Sequence, residues 1–185
     1  MFEILATIAG LVQGVLAYLN KRSSWLVYAL QALFLIIFSF QQHLFGDALQ
    51  NVLFMAYCAY GFWTWGQEKY SKITVLDAKW RMVCIAAACV LGAVIWLFLR
   101  NTSDPLPLLD SATTATTIVA SVLLLFRKLE TWVVWLVNDI LYMVQYWMLP
   151  DKAVYLFGLY VVWTVLAIIS LINWNKIYKS YAYEI

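Results

Sequence analysis

The chain has 185 residues, 65% of them hydrophobic and 12% charged, with a formal net charge of +2. That much apolar surface exceeds what a soluble domain of this length can hide, and so small a net charge gives no footing for nucleic acid. An all-α polytopic membrane protein is the class that remains.

A bilayer core takes about 20 mainly apolar residues per helix, within a range of ~17–25. Seven runs meet this, at 2–18, 25–42, 47–65, 81–99, 111–126, 132–149 and 153–174. The first has no basic segment before it, and its positive charges, Lys21 and Arg22, follow the apolar run. That is the pattern of a retained helix rather than a cleaved signal. Ten basic residues (Lys21, Arg22, Lys69, Lys72, Lys79, Arg81, Arg127, Lys128, Lys176 and Lys179) fall on the side of the loops after helices 1, 3 and 5 and the C-terminus. Only two, Arg100 and Lys152, fall on the other side. This bias predicts a cytoplasmic C-terminus and an outer N-terminus. Cys58, Cys84 and Cys89 lie within apolar runs, with no spacing that reads as a disulfide or metal site.

A weak internal repeat runs through these helices. Shifted by 110 residues, Thr7-Ile8 lands on Thr117-Ile118 and Trp25 on Trp135; shifted by 109, Trp65 lands on Trp174. A basic pair (Lys21-Arg22, Arg127-Lys128) closes the first helix of each half. Two three-helix units joined directly would point in opposite directions, and the almost wholly apolar fourth run restores their direction. The expected organisation is a 3+1+3 parallel pseudo-repeat, with a first three-helix unit at 1–66, a linker helix at 67–105, a second unit at 106–176 and a cytoplasmic tail at 177–185. Parallel repeats of this kind hold a substrate between them near mid-membrane.

The sixth run, WVVWLVNDILYMVQYW, carries Asn138 and Asp139 at its centre. A carboxylate at that depth costs on the order of 2.5–3.5 kcal/mol on insertion scales. Of the ten acidic residues it is the one read as mid-span, with no Lys or Arg in the interior of a span to pair with it. Trp135, Asp139, Tyr142 and Tyr146 share one helical stripe, bordered by Asn138 and Gln145. Helix 2 adds Trp25, Tyr28 and Gln31, helix 3 adds Gln50, Tyr57 and Tyr60, helix 5 adds Thr113, Thr114, Thr117 and Ser121, and helix 7 adds Tyr160, Trp163 and Thr164. A carboxylate among Trp and Tyr faces suits a flat organic cation, because ring quadrupoles attract positive charge and the anion compensates it. The amides of Gln31, Gln50 and Asn138 can read the donor and acceptor edges of a heteroaromatic ring. Each of these residues also has a packing role open to it, Trp and Tyr as interfacial anchors and Ser and Thr as helix-packing groups.

These stretches resemble the PnuC family of vitamin transporters, which includes nicotinamide riboside carriers and thiamine-carrying relatives called PnuT. The resemblance covers essentially the whole chain and rests on TIAGLVQGVLAYLNKRSSW, LFGDALQ and YGFWTW in the first half, and on LLDSATTATTIVAS and RKLETWVVWLVND in the second. It implies a fold similar to that of SWEET sugar transporters and a substrate site drawn from helices 2, 3, 5, 6 and 7. It also implies facilitated diffusion followed by trapping through an intracellular kinase. By position, Gln50 matches the family's helix 3 glutamine, and Trp132, Trp135 and Asp139 match its tryptophan-rich helix 6 element, where members carry Asn or Asp at the position of Asp139. Gln31 stands where riboside carriers commonly have Asn, Asn138 adds an amide, and no extension precedes helix 1. These departures make thiamine the favoured substrate and nicotinamide riboside the alternative. The expected site is therefore Trp25, Tyr28, Gln31, Gln50, Tyr57, Tyr60, Thr117, Trp132, Trp135, Asn138, Asp139, Tyr142 and Trp163, with a vitamin and the lipid bilayer as partners, a homo-oligomer left open, and no cofactor or metal.

Two other classes fit the residues less well. A retinal-type photoreceptor needs a lysine in its last span, and 153–174 has none. A membrane enzyme finds no nucleophile–base pair, since the one histidine, His43, lies in a loop without a ligand partner nearby.

Overall fold

In the computed structural model, residues 1–18, 21–64 and 72–181 are described. Trp65 and Lys69, used above for the repeat and the charge bias, lie outside them. The described residues form seven α-helices: α1 (Phe2–Tyr18), α2 (Ser24–Gln41), α3 (Phe45–Thr64), α4 (Ala78–Leu99), α5 (Pro107–Leu125), α6 (Thr131–Met148) and α7 (Val154–Tyr181). Four of them, α2, α4, α5 and α7, are long and apolar enough to cross a membrane by composition alone. Polar side chains turned inward dilute α3 and α6, which is why pure hydropathy undervalues them. At 28 residues, α7 is about 42 Å long and extends well past a bilayer core of ~30 Å.

The helix ends follow local chemistry. Proline opens α5, where its missing N–H has no intrahelical partner to lose. The Asp77 side chain accepts from Trp80 N at 2.9 Å and caps α4. Both α2 and α5 close on a residue in the left-handed region, His43 (φ 58°) and Arg127 (φ 47°). The next N–H then reaches back to the last turn, Leu44 N to Ser39 O at 2.8 Å and Lys128 N to Leu123 O at 2.9 Å. This is a Schellman closure made without glycine.

Packing is sequential within each half, α1 on α2 on α3 and α5 on α6 on α7. Two seams join the halves, α1 against α7 and α3 against α5, so six helices close a ring. The fourth helix packs on α5, touches the edge of α3, and buries only Leu99. The segment before it is strapped to the α5–α6 connection. Thr74 N donates to Arg127 O (3.1 Å), Leu129 N donates to Thr74 O (2.9 Å), and Glu130 both accepts from Leu76 N (3.1 Å) and pairs with Arg81 (2.9 Å).

The α3–α5 seam depends on Asp110. Its carboxylate, fully buried, accepts from Gly46 N at 2.7 Å and Asp47 N at 2.8 Å, satisfying two of the N–H groups that the first turn of α3 leaves without partners. Glycine is needed at residue 46 because a Cβ there would stand 2.8 Å from Asp110 Oδ2 and 2.9 Å from Thr114 Oγ1. Asp110→Ala would strand both N–H groups away from water. The expected cost is about 2–4 kcal/mol of stability, read as a lowered midpoint of thermal unfolding in detergent. Asp110→Asn, which keeps one acceptor oxygen, is expected to lose less.

Candidate functional site

Where α3, α5 and α6 meet, the side chains are polar and sealed. Asp47 is 1% exposed and serves as a hub. One of its oxygens accepts from the Ser39 hydroxyl, and the other accepts from Gln50 Nε2 at 2.7 Å, Tyr142 OH at 2.8 Å and Asn51 Nδ2 at 3.3 Å. Gln50 Nε2 also donates to Tyr142 OH. Beside the hub, Gln145 Nε2 reaches Asp110 Oδ1 at 3.5 Å, while its Oε1 accepts from Thr113 at 2.9 Å. Deeper along α6, Asn138 Oδ1 accepts from Thr116 at 2.6 Å and Thr117 at 3.3 Å.

The reading of Asp139 as the one enclosed acid is corrected here. Asp47 and Asp110 are buried at 1% and 0%, against 2% for Asp139. Hydropathy placed both at the ends of apolar runs, where acids default to the surface. What encloses them is the demand of a buried helix start for acceptors.

The difference between these acids is chemical. Asp47 and Asp110 each accept several hydrogen bonds, whereas Asp139 has no hydrogen-bond or ion-pair partner among the described residues. It lies within electrostatic reach of Tyr28 and Tyr160. Other buried polar atoms are equally without a protein partner: both amide atoms of Gln31, Gln50 Oε1, Asn138 Nδ2 and Trp132 Nε1. Buried groups of this kind are nearly always paired in native proteins. With Thr114 Oγ1 also unpaired, these atoms lie on α2, α3, α5 and α6 and are candidates for contact with a bound solute.

Aromatic rings wall this region on two sides. Tyr142 stacks on Tyr160 at 4.5 Å and on Tyr146 at 5.4 Å, and Tyr160 meets Trp163 edge-on at 5.0 Å. Across the ring, Trp25 meets Tyr57 edge-on at 5.3 Å, and Tyr28 packs on Phe54 at 5.2 Å. Glycine at residue 61 lets the Trp25 indole lie against α3, since a Cβ there would fall 2.6 Å from its ring carbons. At the end of the bundle opposite Asp110, Trp25, Tyr57, Tyr60 and Thr64 line a cleft closed on its far side by Leu124, Leu125 and Arg127.

Most of the residues singled out by sequence converge on this interior. Trp25, Gln31, Gln50, Thr117, Asn138, Asp139 and Tyr142 are buried, and Tyr28, Tyr57, Trp135 and Trp163 are half-buried. Tyr60 is 47% exposed and stands at the cleft mouth rather than inside. Trp132 sits at the start of α6 against Trp174, edge-on at 5.3 Å. Sequence reasoning missed Asp47, Ser39, Asn51 and Asp110. The one available signal was an acid in the first turn of both α3 and α5.

The nicotinamide mononucleotide transporter family matches residues 1–176. The chain belongs to that family. It is a multi-pass membrane transporter and not an enzyme. It is 25% identical over 191 residues to the nicotinamide riboside transporter PnuC of Neisseria mucosa, covering 96% of this chain and 73% of the relative. To the nicotinamide riboside transporter PnuC of Escherichia coli it is 24% identical over 169 residues, 75% of this chain and 71% of the relative. The crystal structure of the vitamin B3 transporter PnuC superposes with a TM-score of 0.80 at 25% identity, over 97% of this chain and 82% of that one. These names specify nicotinamide riboside and vitamin B3, and give the thiamine preference no support.

A partnerless carboxylate is a burden on the unliganded protein. Asp139→Asn is therefore expected to hold or raise the thermal midpoint in detergent by up to a few degrees without ligand. A clear fall would mean that the charge has a structural partner.

Proposed function

We propose that this chain carries nicotinamide riboside across the bacterial inner membrane by facilitated diffusion, in place of the thiamine favoured on sequence alone. The observation that carries the reading is the partnerless Asp139 carboxylate beside unpaired buried amides and stacked tyrosines. The pyridinium ring of the riboside supplies the cation that Asp139 lacks and a flat face for Tyr142, Tyr160 and Trp163. Its carboxamide and ribose hydroxyls supply partners for Gln31, Gln50 Oε1 and Asn138 Nδ2. The names of the relatives point to the same vitamin.

Charge also separates the riboside from the mononucleotide in the family's description. Among the described residues, the buried polar set contains aspartates, amides and hydroxyls but no Lys, Arg or His. A phosphate dianion placed among buried carboxylates with no cation to meet it is strongly disfavoured. Asp47 and Asp110 are already saturated by neutral donors, which argues against their holding a coupling ion, so net uptake is assigned to an intracellular kinase that traps the product.

The packing supports a 3+1+3 organisation of the SWEET type, with units at 1–66 and 106–176 and a linker at 67–105. Its basis is the closed ring of six helices and the peripheral α4. The basic residues grouped at the ends of α1, α3, α5 and α7 support a cytoplasmic C-terminus.

Calorimetric titration of the purified protein with nicotinamide riboside, nicotinamide mononucleotide and thiamine tests the assignment. Binding is expected to be tightest for the riboside, and tighter binding of thiamine would overturn it. Asp139→Asn should weaken riboside binding by roughly tenfold to a hundredfold, as for a charge-assisted contact. It should weaken an uncharged reduced analogue much less. Gln50→Ala and Asn138→Ala should each cost about 1–3 kcal/mol of binding, with the helical fold retained at a lowered thermal midpoint.

A further inference from the structure

Two carboxylates do the same job at the two seams of the ring. Asp110, in the first turn of α5, caps Gly46 N and Asp47 N, the second and third residues of α3. Glu3, in the first turn of α1, caps Tyr155 N at 2.7 Å and Leu156 N at 3.3 Å, the second and third residues of α7. Each half thus lends a carboxylate from its first helix to the start of the other half's third helix. Both clasps sit at one end of the bundle, and the aromatic cleft lies at the other.

The clasps differ in what their release would expose. Asp110 is fully buried, and the Asp47 whose N–H it holds is tied to Ser39, Gln50, Asn51 and Tyr142. Opening there would strand N–H groups in a dry interior and break a polar network. Glu3 is only half-buried, and Tyr155 beside it is 56% exposed. Water can take over the hydrogen bond at exposed Tyr155, and it reaches the N–H of Leu156, a residue 0% exposed while the seam is closed, once α1 moves away, so release costs little net free energy. Behind Glu3 the α1–α7 seam is closed by Ala6, Gly10, Leu156 and Leu159, contacts without directional bonds. Just inside it lies Gln31, against Gly10 and Leu159, with both amide atoms unpaired.

We propose that Glu3 is the releasable latch of the gate at this end, that α1 parts from α7 there, and that the Asp110 clasp at the α3–α5 seam is the fixed hinge. A solute entering between α1 and α7 then meets the Gln31 amide first. This rests on the reading of the chain as a carrier with its site inside the ring, but not on which vitamin it carries.

The test uses the full chain in proteoliposomes, with Cys58, Cys84 and Cys89 replaced by alanine and a single thiol introduced by Ala6→Cys. A membrane-impermeant methanethiosulfonate reports access to the seam and needs no vitamin. Adding Glu3→Gln, which keeps the shape of the side chain and removes its charge, should speed labelling roughly two- to fivefold, the typical range for losing a charge at a helix start. Adding Asp110→Asn should leave the rate within twofold while lowering the thermal midpoint. Unchanged labelling in the Glu3 variant, or a larger rise in the Asp110 variant, overturns the proposal. As a second arm, Glu3→Cys and Tyr155→Cys bridged by a short bifunctional thiol reagent should abolish nicotinamide riboside counterflow, with activity retained before bridging. Transport through the bridged protein overturns the latch. A protein that moves no riboside before bridging, yet shows the labelling shift, points instead to the wrong substrate.

Discussion

A helix that begins inside a membrane protein brings N–H groups that neither lipid nor its own backbone can satisfy, and in this chain two carboxylates answer that demand. Asp110 accepts from the start of α3 and so fixes where α5 crosses it. That position sets the depth of Asp47, and Asp47 in turn orients Gln50 and Tyr142 toward the interior. The placement of the candidate site is thus a consequence of capping. The close approach at Gly46 is a condition for it, because any side chain there would occupy the space of the carboxylate.

The interior combines two kinds of acid that composition cannot tell apart. Asp47 and Asp110 are saturated by neutral donors and hold the scaffold. Asp139 is left unsaturated among tyrosines. Removing the carboxylate has opposite consequences for the two kinds, since loss of a saturated acid leaves donors stranded and loss of an unsaturated one relieves a desolvated charge. Division of labour among like residues is what lets a dry bundle be both stable and incomplete.

Much of the fold was legible because lipid enforces it. All seven runs appear as helices, most with ends shifted by a turn or less; α7 continues well past residue 174, and α5 begins a turn early at Pro107. The α6 stripe was legible for the same reason, as Asn138 and Asp139 interrupt an otherwise apolar span and spacing puts Tyr142 with them. Asp47 and Asp110 were not, because their partners are set by a contact between residues 63 or 64 apart in the chain. Tyr57 and Tyr60 illustrate a finer limit. Three residues apart, they share a broad face, yet one donates to Ser121 O at 3.1 Å across the α3–α5 seam and the other stands at the cleft mouth. Periodicity gives the face of a helix, and only its neighbours decide where that face ends.

The excess length of α7 bears on how the protein sits in its membrane. About 12 Å of helix beyond the hydrocarbon carries Lys176 and Lys179 into the headgroup layer. Their ammonium groups favour anionic lipid and resist being drawn inward, so this end acts as a float that sets vertical position. In a thicker bilayer the spare turns can be immersed without exposing a polar helix end, and in a thinner one α7 can tilt. One over-long helix therefore lets the ring keep its internal register while the surrounding lipid changes thickness.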